Sequence, residues 1–216
     1  MLLETRGDYE FSQRLLAALN NVSKALEKLD TKNEPVPVKP GIRFEKVSFN
    51  QFTKDWQIIY GMTPHLSVIE DIYDQIKLPT RSTAGSAGYD FKIPAALTLE
   101  PGKSEIIPTG IRAIMPEDTV LMIYPRSGLG FKYRMQLNNT VGVIDSDYTA
   151  SDNEGHILVK ITNDTNENKN LKINEGDAFV QGIFTKYLTV EGDNITAIRN
   201  GGFGSTDKRT KEINNG

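Results

Sequence analysis

The chain has 216 residues, with 25 Lys+Arg against 28 Asp+Glu and a formal net charge of −3. No basic field draws it to a nucleic-acid polymer, although two or three well-placed cations would suffice for a single nucleotide. It has no cysteine and two histidines, His65 and His156, which excludes disulfides, thiolate zinc sites, iron–sulfur clusters, a cysteine nucleophile and a multi-histidine metal site. No apolar run approaches a membrane span, and residues 1–10 lack the apolar core of a signal peptide. A soluble, intracellular, cytoplasmic protein is expected. The chemistry left to it uses carboxylates, Arg, Ser, Tyr, backbone amides and a hard cation.

Residues 1–30 form an N-terminal extension. Leu15, Leu19, Val22, Leu26 and Leu29 recur at helical spacing in it, which predicts an amphipathic helix over 9–30. Two readings stay open, a helix docked on an unknown partner and an oligomerising seam. Residues 31–41 follow as a linker, because Pro35, Pro37 and Pro40 cannot continue a helix. A β domain is predicted over 42–198. It opens with a strand in Ile-Arg-Phe-Glu-Lys-Val-Ser-Phe from Ile42, then two short inserted helices near 51–60 and 67–77. Ser67 and Glu70 have the spacing of a capping box for the second helix. Short β-rich runs come next at 97–100, 104–115, 119–125, 156–163 and 170–187, parted by turn clusters such as Pro101-Gly102 and Glu175-Gly176-Asp177. This spacing reads as an all-β sandwich, jelly roll or barrel. Residues 199–216 are Gly-rich and charged, with no apolar period.

Five polar islands interrupt the β pattern. Gly85-Ser-Ala-Gly-Tyr-Asp90 reads on its own as a glycine turn before a strand. In Tyr124-Pro-Arg-Ser-Gly-Leu-Gly130 a strand ends, and a guanidinium, a hydroxyl and an approachable glycine amide follow, a set suited to phosphate oxygens or to a plain turn. In the third, 138–148, Asp145 comes directly after Val143 and Ile144, at a strand end, where a carboxylate serves as a general base or simply as a solvated turn residue. In Gly176-Asp-Ala-Phe-Val-Gln181 an amide sits inside an apolar strand and needs a partner, either in the core or on a ligand. In Arg199-Asn-Gly-Gly-Phe-Gly-Ser-Thr206 an aromatic ring stands among glycines, beside hydroxyls and an arginine. Those are the parts of a lid over a nucleotide. No Gly-Lys-Ser/Thr follows, so this is not a P-loop.

In order and spacing, these islands resemble the five motifs of the homotrimeric dUTPases, over roughly residues 78–206. The resemblance implies a jelly-roll-like β fold and hydrolysis of dUTP to dUMP and pyrophosphate by attack of water on the α-phosphorus. It implies sites shared between three subunits and no nucleic-acid polymer or membrane as partner. By the same resemblance Asp145 positions and deprotonates the water and bonds the sugar 3′-hydroxyl. Tyr148 packs under the deoxyribose and leaves no room for a 2′-hydroxyl. Asn139, with Val143 and Ile144 of the 139–144 hairpin, reads the uracil edge. Arg126, Ser127 and Gly128 hold phosphates with Gln181 beside them, and Asp90 holds a water of the Mg²⁺ that bridges the triphosphate. Arg199, Phe203, Gly204, Ser205 and Thr206 belong to the closing arm. Two departures from the family pattern stand out. Ala150-Ser-Asp-Asn-Glu154 replaces a common glycine and its sequel, and one residue is missing between Arg199 and the arm glycines. The related dCTP deaminases need a glutamate where this chain has Lys160. A binding protein that retains a dUTPase body is the non-catalytic alternative.

Overall fold

The computed structural model describes residues 41–61 and 64–197, together with Lys24. Contacts divide the chain between Lys39 and Pro40, and every element below lies in the second unit. In chain order these are β1 (Arg43–Lys46), α1 (Phe49–Tyr60), α2 (Leu66–Gln75), β2 (Thr80–Arg81), β3 (Tyr89–Lys92), β4 (Leu97–Leu99), β5 (Ser104–Pro108), β6 (Ile111–Ile114) and β7 (Thr119–Pro125). Then come α3 (Ser127–Tyr133), β8 (Met135–Leu137), β9 (Gly142–Ile144), a 3-10 turn (Ser146–Ala150), β10 (Leu158–Asn163), β11 (Leu171–Ile173) and β12 (Ala178–Lys186).

Short antiparallel strands build a jelly-roll-like β domain, one of the architectures that the strand pattern leaves open and the one that the resemblance implies. One sheet has the order β2-β3-β12-β7-β9 and a second the order β5-β10-β8, with the pairs β1-β6 and β11-β4 beside them. Alternation places the core. On β10, Val159, Ile161 and Asn163 are buried while Lys160 between them is exposed. Burying Asn163 is tolerated because its amide donates to the carbonyls of Leu99 (2.9 Å) and Lys169 (3.0 Å). Gly182 on β12 has no room for a side chain, since a Cβ would press on Leu121 and Phe91. The β-rich run 104–115 holds two strands, β5 and β6. Gly110, at φ +72°, turns the chain between β5 and β6.

The two inserted helices are present with shifted ends. Helix α1 begins two residues before the predicted start, because Ser48 caps it by accepting from the Gln51 amide (3.1 Å). Helix α2 is capped by His65, whose Nδ1 accepts from the Ser67 amide. Ser67 therefore lies inside the first turn, and the predicted Ser67–Glu70 capping box is not used. Phe52 and Ile69 are fully buried where these helices meet the β domain, each contributing about 1.5–3 kcal/mol.

Candidate active site

Three strands of the larger sheet bring the first, second and fourth islands together. Antiparallel register sets Asp90 of β3 opposite Gln181 of β12, and Gln181 opposite Tyr124 of β7. Pro125 ends β7 and Arg126 caps α3, so the guanidinium arrives beside Asp90. Its Nη1 donates to Asp90 Oδ2 at 3.0 Å, and Ser82 Oγ donates to the same oxygen at 2.6 Å. Asp90 is 7% exposed, and a carboxylate so deep is tolerable only with such partners. Arg126 keeps 39% of its side chain accessible, leaving part of its donor fork within reach of an anion. Ser127 and Gly128 are exposed in the first turn of α3, and nothing lies within 4 Å of where a Gly128 Cβ would stand. Gln181 Nε2 donates to the Pro125 carbonyl (3.3 Å). A Cβ at Gly88 would collide with the Gln181 side chain, which gives that glycine a steric reason. Nothing in the sequence singles out Ser82. A hydroxyl eight positions before Asp90 carries no signal until β2 and β3 pair.

The third island sits elsewhere. Strand β9 pairs with β7 in the register Leu121↔Ile144, Met122↔Val143 and Ile123↔Gly142. Asp145 follows at the strand end, half-buried, and precedes the 3-10 turn. Asn139, Val143 and Ile144 line a cavity of about 440 Å³, together with Asn138, Gly142 and Lys160. Val143 is 56% exposed and Ile144 buried. Tyr148 is only 6% exposed. Its hydroxyl donates to the His156 carbonyl (3.1 Å) and accepts from Asn153 Nδ2 (2.9 Å). The ring is thus mostly a core group, with little of its face left for a sugar.

The two groups of residues face opposite ends of β7. Asp145 falls opposite Val120, one step past the Leu121↔Ile144 pair, whereas Arg126 lies one step past Pro125. Those six steps correspond to about 20 Å along a strand. A general base must come within about 3 Å of the proton that it takes, or act through one water. Within one chain, Asp145 and the Asp90–Arg126–Gln181 group cannot serve the same phosphorus. Arg199, Phe203, Gly204, Ser205 and Thr206 lie outside the described residues.

Residues 74–207 match the family model described as dUTPase. The chain belongs to the dUTPase family. All five motifs fall within that match, whereas α1 and most of α2 precede it. A deoxyuridine 5′-triphosphate nucleotidohydrolase of Lactococcus lactis is 42% identical over 134 residues, which are 61% of this chain and 88% of that protein. The one from Pasteurella multocida is 36% identical over 143 residues, 62% of this chain and 90% of its own length. Among solved structures, the dUTPase from Streptococcus mutans superposes with a TM-score of 0.50 at 32% identity, over 69% of this chain and 98% of that one. The dUTPase-like part is therefore nearly full length. Among the described residues, no helix is long and apolar enough to cross a membrane.

Proposed function

We propose that the protein hydrolyses dUTP to dUMP and pyrophosphate, at sites completed between copies of the chain in a trimer. The observation that carries this reading is the separation of its two half-sites along β7. A phosphate-holding group without a base and a base without phosphate ligands become one site only when a second copy supplies the missing half. Asp145 takes the proton of the attacking water, and its other oxygen holds the sugar 3′-hydroxyl. Asn139, Val143 and Ile144 read the uracil edge. The exposed part of the Tyr148 ring is a rigid wall against a 2′-hydroxyl. Arg126, Ser127, the Gly128 amide and Gln181 hold phosphate oxygens as charge builds up on them. Arg199, Phe203, Gly204, Ser205 and Thr206, in the arm 199–216, close over the nucleotide. The extension 1–30 and the linker 31–41, of which only Lys24 and Gly41 are among the described residues, stand outside this chemistry, which the domain 42–198 carries together with the arm 199–216.

The residues present fit a hydrated Mg²⁺. Asp90 is a hard oxygen donor beside the phosphate-holding group, and Ser82 and Arg126 both donate to its Oδ2. Asp90 would hold the hydrated ion through a water, a mode Mg²⁺ favours. When bound, the ion neutralises phosphate charge. A free nucleotide as substrate supports a cytoplasmic site of action.

The test is pyrophosphate release from dUTP, UTP and dCTP, with and without a chelator. Release from dUTP alone, lost on chelation, is expected. Release of ammonia from dCTP would favour a deaminase, which the exposed Lys160 on β10 argues against. Binding of dUTP without turnover would favour a non-catalytic role.

A further inference from the structure

Helix α1 precedes the dUTPase match, yet it is tied by two sets of polar contacts to the turn that follows the third motif. The first is a buried pair. His156 is fully buried, and its Nε2 accepts from the Gly110 amide at 2.8 Å. That bond requires an unprotonated Nε2, so the ring proton sits on Nδ1 and is donated to Asp55 Oδ2 at 2.6 Å. Gln51 Nε2, one turn earlier on α1, donates to the same oxygen at 2.8 Å. The second contact joins the α1 cap to the turn after the third motif. The Ser48 amide (2.8 Å) and hydroxyl (2.6 Å) both donate to the Glu154 carboxylate. Glu154 has φ +58° and Gly155 φ +76°, and a Cβ at Gly155 would collide with the Thr149 backbone. The turn 153–156 is thus tightly specified, and it is where the sequence leaves the family pattern. This same turn holds Tyr148, through the Asn153 amide and the His156 carbonyl.

We propose that Asp55 and His156 are positioning residues through which the inserted helix α1 fixes the Tyr148 ring and so sets how strictly the site selects deoxyribose over ribose. The chain of contacts is short. Asp55 fixes the imidazole, the imidazole fixes the backbone at 156, and the carbonyl there fixes the tyrosine hydroxyl. None of these side chains needs to touch substrate. The inference rests on the reading that Tyr148 walls off the sugar.

The test is the ratio of kcat/KM for dUTP to that for UTP in Asp55→Leu, with melting temperature and oligomeric state as fold controls. A folded Asp55→Leu protein should lose about tenfold of the ratio, mainly through gained UTP turnover. Asp55→Asn should keep the ratio within about twofold, because a carbonyl at the Oδ2 position still accepts from both His156 and Gln51. In a Tyr148→Phe background, Asp55→Leu should change the ratio by less than about twofold, since the hydroxyl that relays the effect is gone. If Asp55→Leu does not fold, Asn153→Ala, in the half-exposed turn, should lower the ratio in the same direction. An unchanged ratio in either variant overturns the proposal. So does equal loss for both substrates, or the full Asp55→Leu effect in the Tyr148→Phe background. A wild-type chain inert towards dUTP would instead remove the functional reading beneath it.

Discussion

The proposed role of Asp145 as the base is testable in its side chain alone. Asp145→Asn keeps the shape and a bond to the 3′-hydroxyl but cannot take a proton. Turnover should fall about 10²–10⁴-fold, while dUTP affinity measured by calorimetry stays within a few fold. Parallel losses of affinity and rate, with a lowered melting temperature, would make Asp145 a folding residue instead. At this scale much of the site was legible. Asp145 directly after an apolar pair had to end a strand, and β9 ends there. The strand end read at Pro125 is where β7 ends, although the seven-residue α3 that Arg126 caps had no sequence signature around its two glycines. What stayed hidden were properties made by tertiary pairing. The Ser82–Asp90 bond needs β2 against β3. Nothing local foretells that Tyr148 is almost wholly covered or that its hydroxyl is taken.

Among the elements, the inserted helices show how caps override periodicity. Apolar spacing finds α1 and α2, but their starts depend on Ser48 and His65 accepting amide protons, and His65 is not a residue that a capping rule singles out. The attachment of α1 also has a pH signature. For Asp55, burial is the largest single influence and raises the pKa, but the hydrogen bonds from His156 and Gln51 and the nearby positive charge together outweigh it, and the net shift is downward. The side-chain and backbone hydrogen bonds from Ser48 likewise hold Glu154 below the usual carboxylate range. A folded pKa below the unfolded one gives stability that is present above the ordinary carboxylate value and lost as pH falls through the folded one. The melting temperature should therefore fall as pH drops below about 5, and less steeply in Asp55→Asn, which lacks one of the two groups. Equal slopes for the two proteins would show that Asp55 is not linked to folding.

For the whole molecule, the strand order β3-β12-β7-β9 both assembles and divides the site. It gathers Asp90, Gln181 and Arg126 at one end of β7 and sets Asp145 at the other. The β architecture could be read from strand spacing, but the division could not, because register along β7 is invisible in a linear string. The most direct measurement is complementation between two inactive proteins, Asp145→Ala and Arg126→Ala. Each carries one ruined half-site and one intact half-site. After co-refolding in equal amounts, a site that draws its halves from different chains receives two good halves about one time in four. Pyrophosphate release from dUTP should therefore recover to about a quarter of the wild-type rate. Activity no higher than that of either parent alone, from mixed oligomers shown to have formed, would contradict a site shared between chains.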